Sequence, residues 1–309
     1  MALGVDAVRV GIWTSANAVS GVTVVLPPSG SVGAVAVRGS APGTREAAAL
    51  GVNGHVEVCH AVVLAGGSAY GLCAADGVMR FLEANGTGFA TPYGVVPIVG
   101  AAILFDESVA QPAERPTAEA GFLAASAATT TDVPEGPVGA GAGCSVAKQY
   151  GRAFAWRSGQ GIAIRRHEDV VVGVIVANNA VGAVMHANGT VLCGPRHDGT
   201  GISLSFDGRD GLAGPSANTV IGCVVTNATL SKRDVYRVAD LSHSGTARAI
   251  RPAHTQADGD AMFALATGQV AAHVDLVAAL AAEAVEEALR RAVLATPSHA
   301  TLPGLGQSV

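Results

Sequence analysis

Apolar positions in the first 65 residues come in short valine-rich runs separated by turn residues: VRVGIW, GVTVVLP, VGAVAVR and AVVLAGG. Runs of that length bounded by Gly, Pro and Ser predict β-strands. From Ser68 the period changes. Leu72, Ala75, Met79 and Leu82 fall on one helical stripe that Asn85-Gly86 stops, with Ser68 as its expected N-cap. Residues 96–105 read as a buried strand and the Ala-rich stretch 117–128 as a helix. Further strands are expected at 161–165, 170–177, 181–186, 189–193 and 220–225. Ser231 heads a helix to about Ala249, residues 258–268 turn into another strand, and 274–294 carries Leu276, Leu280, Val285, Leu289 and Val293 at helical spacing. The polar, Gly/Pro-rich region 196–217 reads as an exposed connector and the last dozen residues as a tail. There is no internal repeat and no clear linker. The mixture of strands and helices predicts an α/β or α+β fold with helix-covered sheets.

Composition changes this picture little. Hydrophobic residues make up 49% of the 309 and charged residues 14%, and the mean hydropathy is +0.39. No stretch supplies the roughly 18 uninterrupted apolar residues of a spanning helix. The best run, 170–176, stops at Asn178-Asn179. Net charge is −5 without a Lys/Arg cluster and aromatics are 4%, which makes nucleic acid a poor partner. The N-terminus lacks a basic region followed by an apolar one, so no signal peptide is expected. Five cysteines without a CxxC pair argue against a disulfide framework or a structural zinc site. Cytoplasm is the expected compartment, where the N-x-T sequons at Asn85, Asn188 and Asn227 carry no meaning.

Several segments are candidates for chemistry. GAGAGCSVAK fails as a phosphate loop, because Lys148 stands five residues beyond Gly143, and as GxGxxG, because Cys144 occupies the third glycine's place. It reads as a tight loop beside a close backbone approach, with Lys148 either at the surface or functional. Asp258-Gly259-Asp260 puts two carboxylates on one side of an extended segment. With His254 upstream this is a metal candidate, a solvated turn, or a pair that orients an ammonium group. Ser68 in GGSAYG does not sit in a GxSxG elbow, and Tyr70 faces a site or fills the core. Asn178-Asn179 is a strand-end turn or an oxyanion donor. Asn218-Thr219 is a strand start or a bond built to be broken.

Taken in order, AVRVG, GVTVVLP, VRGSAPGTRE, VVLAGGSAYGL, ADGVMRFLE, VPIVGAAILFD, GAGAGCSVAK, ANTVIGCVVTNA, ARAIRPAHTQADGD and FALATG resemble the L-aminopeptidase/D-esterase family. That family also holds β-aminopeptidases and nylon-oligomer hydrolases. The resemblance implies an αββα four-layer sandwich and one hydrolase domain over 1–309. It implies self-cleavage between Asn218 and Thr219 into an α chain, 1–218, and a β chain, 219–309. Thr219 becomes the N-terminal nucleophile. Lys148, Asn179, Asp258, Asp260 and Tyr70 carry over as its companions, with Asn178 one position from Asn179. The aminopeptidase branch has a serine nucleophile and serine and glutamate at the DGD positions, so Thr219, Asp258 and Asp260 resemble the nylon-hydrolase pattern. The implied protein is a homotetramer acting on small peptide, amide or ester substrates, without cofactor, metal, nucleic acid or membrane. The alternatives are an aminopeptidase, β-aminopeptidase or D-esterase of the same family, an acyltransferase of ornithine-acetyltransferase type, and a non-catalytic homologue. The intact residue set argues against the last.

Overall fold

A computed structural model describes residues 2–131, 133–196, 218–299 and 302–307. The main elements in chain order are β1 (Arg9–Thr14), β2 (Gly21–Leu26), β3 (Val32–Val37), β4 (Thr44–Arg45), β5 (Ala61–Ala65), α1 (Ala74–Ala84), β6 (Val99–Ile103), α2 (Ala118–Ser126), β7 (Gln160–His167), β8 (Val170–Asn179), β9 (Thr219–Thr229), α3 (Lys232–Ala249), β10 (Ala261–Ala271) and α4 (Val274–Leu294). One five-stranded sheet has the order β1-β2-β5-β6-β4 and the other β7-β8-β9-β10-β3. Most neighbours are antiparallel. The β5/β6 and β9/β10 pairs are parallel, and each is bridged by a helix, as a parallel pair requires.

Three apolar layers fix the stacking. α1 and α2 cover the first sheet through Val22, Val24, Val63 and Ala101. The two sheets face each other across Val25, Val62, Leu64, Ile175, Ile221 and Phe263. α3 and α4 cover the second sheet through Val172, Val174, Val224 and Met262. This is the αββα sandwich. Each fully buried Val, Ile or Phe contributes about 1.5–3 kcal/mol, and strands apolar on both faces are what a covered sheet demands.

Strand alternation decides what reaches the gap between the sheets. On β8 the even positions Val172, Val174 and Val176 face the helices, while Val171, Ile175 and Ala177 face the other sheet. On β9, Val220 and Val224 face the helices and Ile221, Cys223 and Val225 the gap. By the same alternation Thr219 and Asn179 point toward the gap and Asn178 toward the helices.

Most expected elements are present, α4 with the limits the periodicity gave. Four expectations change. Ser68 is not a helix cap: it opens a 3₁₀ turn, Ser68–Cys73, at φ 55, and its N–H donates to the Leu104 carbonyl. The expected strand 96–105 is split, because Gly94–Val96 pairs with Phe89–Thr91 in a separate hairpin before β6. Strands 161–165 and 220–225 extend to eight and eleven residues, since ladder pairing continues past the apolar run. Residues 302–307 do not trail away: Leu302 is buried and the Pro303 carbonyl accepts the Arg157 N–H at 2.7 Å. All but the first residue of the expected connector 196–217 lie outside the described residues.

Candidate functional site

β9 begins at Thr219, and its ladder partner on β8 is Asn179. Paired residues on neighbouring strands carry their Cβ atoms about 4.5–5.5 Å apart on one face. The two side chains therefore share the end of the inter-sheet gap. Thr219 is buried, 4% exposed. Its hydroxyl donates to the carbonyl oxygen of Asn218, the preceding peptide, in a very short contact. The same oxygen accepts the Gly259 N–H at 2.9 Å. A glycine is required there, because an added Cβ would lie 2.7 Å from the Ala41 carbonyl oxygen and 3.1 Å from Thr219 Oγ1.

Lys148 reaches this corner from the glycine-dense segment. That segment is the expected close backbone approach: a Cβ on Gly141 would lie 2.1 Å from the Gln160 nitrogen. The Lys148 side chain is half-buried, with its ammonium end enclosed. Nζ donates to the backbone oxygen and to Oδ1 of Asn179, both at 2.9 Å. Burial pushes its pKa down from the ordinary lysine value to about 8. Asn179 Oδ1 also accepts the Ser145 N–H at 3.0 Å, and Nδ2 donates to the Phe105 carbonyl at 2.8 Å. Asn179 thus orients Lys148 and ties it to the loop after β6.

The adjacent amide does different work. Asn178 Nδ2 donates to the Leu289 carbonyl of α4 at 3.1 Å, on the helix side of the sheet. Asn178→Ala is expected to cost about 0.5–1.5 kcal/mol of stability through the lost hydrogen bond between β8 and α4 and to leave Lys148 in place. Asn179→Ala is expected to slow chemistry at Thr219 about 10²-fold by misplacing Lys148. Thermal unfolding and amide hydrolysis, measured on both variants, separate the two effects.

The two carboxylates close the corner from below. Asp260 Oδ1 accepts the Val220 N–H at 2.7 Å, next to Thr219. Asp258 Oδ2 accepts the Thr255 N–H at 2.6 Å, while its buried Oδ1 has no hydrogen-bond partner among the described residues. Burial, and then the charge of Asp260, push the Asp258 pKa up. Asn218 and Asp258 form a parallel bridge, which brings the DGD segment against the Asn218-Thr219 peptide. The RGSAPG string holds the other side: Arg38 and Ala41 N–H groups donate to the Asp260 and Asp258 carbonyls at 3.0 and 2.9 Å.

The structure therefore brings together Thr219, Asn218, Lys148, Asn179, Asp258 and Asp260. Tyr70 stands apart from their hydrogen bonds. It is 61% exposed, with the Arg115 guanidinium 4.0 Å above its ring. Three neighbours went unread in the sequence as parts of such a site: the Gly259 N–H, the Phe105 carbonyl and His243. His254 was read only as a metal candidate; it contacts Asp260 instead, at 2.6 Å. A polar residue inside the apolar stripe of α3 was the available signal for His243. Among the described residues no group of three His, Cys, Asp or Glu side chains is placed to hold a metal ion, and no helix is long and apolar enough to cross a membrane.

Residues 3–304 match peptidase family S58. An uncharacterized aminopeptidase of Mycobacterium tuberculosis is 43% identical over 299 residues, covering 89% of this chain and 84% of the relative. A 6-aminohexanoate-oligomer endohydrolase of Agromyces sp. is 33% identical over 260 residues, covering 81% of this chain and 70% of the relative. Among solved structures, the L-aminopeptidase D-Ala-esterase/amidase of Ochrobactrum anthropi, described as a variant of the Ntn hydrolase fold, superposes with a TM-score of 0.72 at 19% identity, covering 99% of this chain and 90% of that one. A β-aminopeptidase of Burkholderia sp. gives 0.71 at 20% identity, with 98% and 90% covered. At those identities the structural likeness is one of fold.

Proposed function

The chain belongs to peptidase family S58, and on that premise we propose that it is a self-processing hydrolase whose nucleophile is Thr219, freed by cleavage of its own Asn218-Thr219 bond. The observation that carries this reading is the Thr219 hydroxyl in contact with the carbonyl of Asn218, whose oxygen is already held by the Gly259 N–H.

A hydroxyl needs an adjacent base to attack. In the uncut chain Lys148 serves. A neutral lysine has two N–H groups, which satisfy the two Asn179 oxygens, and its lone pair is left to accept a proton. Thr219 Oγ gives up that proton and bonds to the Asn218 carbonyl carbon, while the Gly259 N–H supports the oxygen as it takes on charge. The C–N bond then breaks, nitrogen takes the proton, and an ester links Asn218 to Thr219. Water hydrolyses the ester. The products are the chains 1–218 and 219–309, with a carboxylate on Asn218 and a free α-amino group on Thr219.

That amine has a reference pKa of about 7.7–8.0, close to working pH, which suits a general base for turnover. The buried Asp258 Oδ1, which has no hydrogen-bond partner among the described residues, supports a seat for this amine, since a carboxylate oxygen beside the bond to be cut is a ready acceptor for its N–H. Thr219 Oγ attacks the carbonyl of a small peptide, amide or ester, the leaving group departs with a proton, and water releases the acyl group. The family relatives at 33–43% identity support amide substrates. Thr219 and the two aspartates, where the aminopeptidase branch of the resembling family has Ser, Ser and Glu, favour the endohydrolase-like amides.

The acyl-enzyme is directly observable. Matured protein quenched within a few turnovers of an activated ester should yield a 219–309 fragment heavier by the acyl group, on the peptide that begins at Thr219. Hydrolysis that proceeds without that adduct accumulating on any ester, and that survives Thr219→Ala, would exclude Thr219 as nucleophile.

A further inference from the structure

His254 sits four residues before Asp258, outside the set of residues given a role above. Its backbone is left-handed at φ 58, a conformation unfavourable for a non-glycine residue that persists where the surroundings enforce it. What it secures is the ring's position. Nδ1 lies 2.6 Å from Asp260 Oδ2 and Nε2 lies 3.4 Å from the His243 carbonyl oxygen. Both neighbours are acceptors, so only the doubly protonated imidazolium satisfies both contacts.

The surrounding groups agree with a charge at this place. From α3, the His243 ring packs edge-on with centroids 5.0 Å apart. Its own Nε2 faces the Ala36 carbonyl at 3.1 Å, and burial pulls its pKa down to about 4. His243 is therefore neutral, and the pair's charge lies on His254. Burial alone would lower the His254 pKa, but the hydrogen bond and charge of Asp260 outweigh it and raise it. Arg38, after β3, is the nearby guanidinium, and it is committed to Asp240 of α3 through an Nε contact of 2.8 Å. Asp258 and Asp260 face His254 from the chain leading to β10, and Lys148 faces Asp258 from the glycine-dense loop.

We propose that His254 is a positioning residue whose imidazolium balances the Asp258/Asp260 pair, holds Asp260 on the Val220 N–H, and thereby sets how tightly the Thr219 amine binds its proton. The inference rests on the reading of Thr219 as nucleophile. Two buried carboxylates beside a new amine would stabilise its protonated form and spoil it as a base. One cation on Asp260, added to Lys148, removes much of that pull.

The test compares kcat/KM against pH for wild type, His254→Ala and His254→Asn. Asparagine keeps a donor toward Asp260 but no charge. Both variants should move the acid limb upward by about one pH unit, losing about tenfold near pH 6.5 and approaching wild type at high pH. Each variant is first left to cut to completion, at higher pH where maturation is slow, so that the Thr219 amine is present in every protein compared; a variant that never cuts marks a structural histidine and overturns the proposal. An unshifted limb in His254→Asn, or a loss equal at every pH in both variants, means a merely structural histidine and overturns the proposal. Thr219→Ala, run in parallel, keeps the outcomes distinct: self-cleavage in that protein defeats the nucleophile reading itself.

Discussion

Thr219→Ala should leave one uncut chain and no amide hydrolysis above background, a loss of about 10⁴–10⁶ in rate. Two defects combine in this variant. The uncut chain lacks the hydroxyl that contacts the Asn218 carbonyl, so no α-amine forms. The site then lacks its nucleophile as well as its base. The fold should persist, because the replaced side chain is small and Val220, Ile221, Cys223 and Val224 keep β9 fixed in both apolar layers. Thr219→Ser is the control: it keeps the hydroxyl and should still cut. Denaturing electrophoresis with an amide assay checks both proteins. A Thr219→Ala chain that cuts at 218 would place the nucleophile elsewhere.

The second large effect belongs to Lys148. Lys148→Met should reduce self-cleavage by about 10²–10⁴, the usual worth of a positioned base. Lys148→Arg should fail to a similar degree although it keeps the positive charge, because a guanidinium does not deprotonate in proteins. The wild-type pH profile carries the same information. With a pKa of about 8, Lys148 is mostly protonated below that pH and its lone pair is blocked. Self-cleavage should rise about tenfold per pH unit up to that point and level off above it, with about one molecule in a hundred competent at pH 6. A rate that falls as pH rises through 8 would assign Lys148 to charge stabilisation instead. So would an active Lys148→Arg protein.

The fold was largely legible because it rests on periodicity. The 21-residue α4 was readable from its apolar stripe, and α3 from Ser231, whose hydroxyl accepts the Asp234 N–H at 3.2 Å. The Ser68 turn was misread because helix onset there depends on a tertiary contact: its N–H reaches Leu104, across the sheet. The site was legible in part. Strand parity assigns Asn179 and Thr219 to the same face and Asn178 to the opposite one, but only once the register between β8 and β9 is known, and register is a long-range property. The partners of Asp258 and Asp260 were hidden for the same reason. The Gly259 N–H on the Asn218 carbonyl leaves no mark in local sequence, and the polar His243 within the stripe of α3 gives no sign that its ring packs on His254. Tyr70 is the residue whose carried-over role the geometry leaves separate, on the surface under Arg115.

The chain should cut itself once, between Asn218 and Thr219. The direct measurement is a time course of intact mass under denaturing conditions on purified protein, with N-terminal sequencing of the smaller product. Two species, residues 1–218 and a fragment beginning Thr-Val-Ile-Gly, should replace the 30.6 kDa chain, at a rate independent of protein concentration. A chain that stays whole across the pH range, or one that is cut at another bond, would contradict the account.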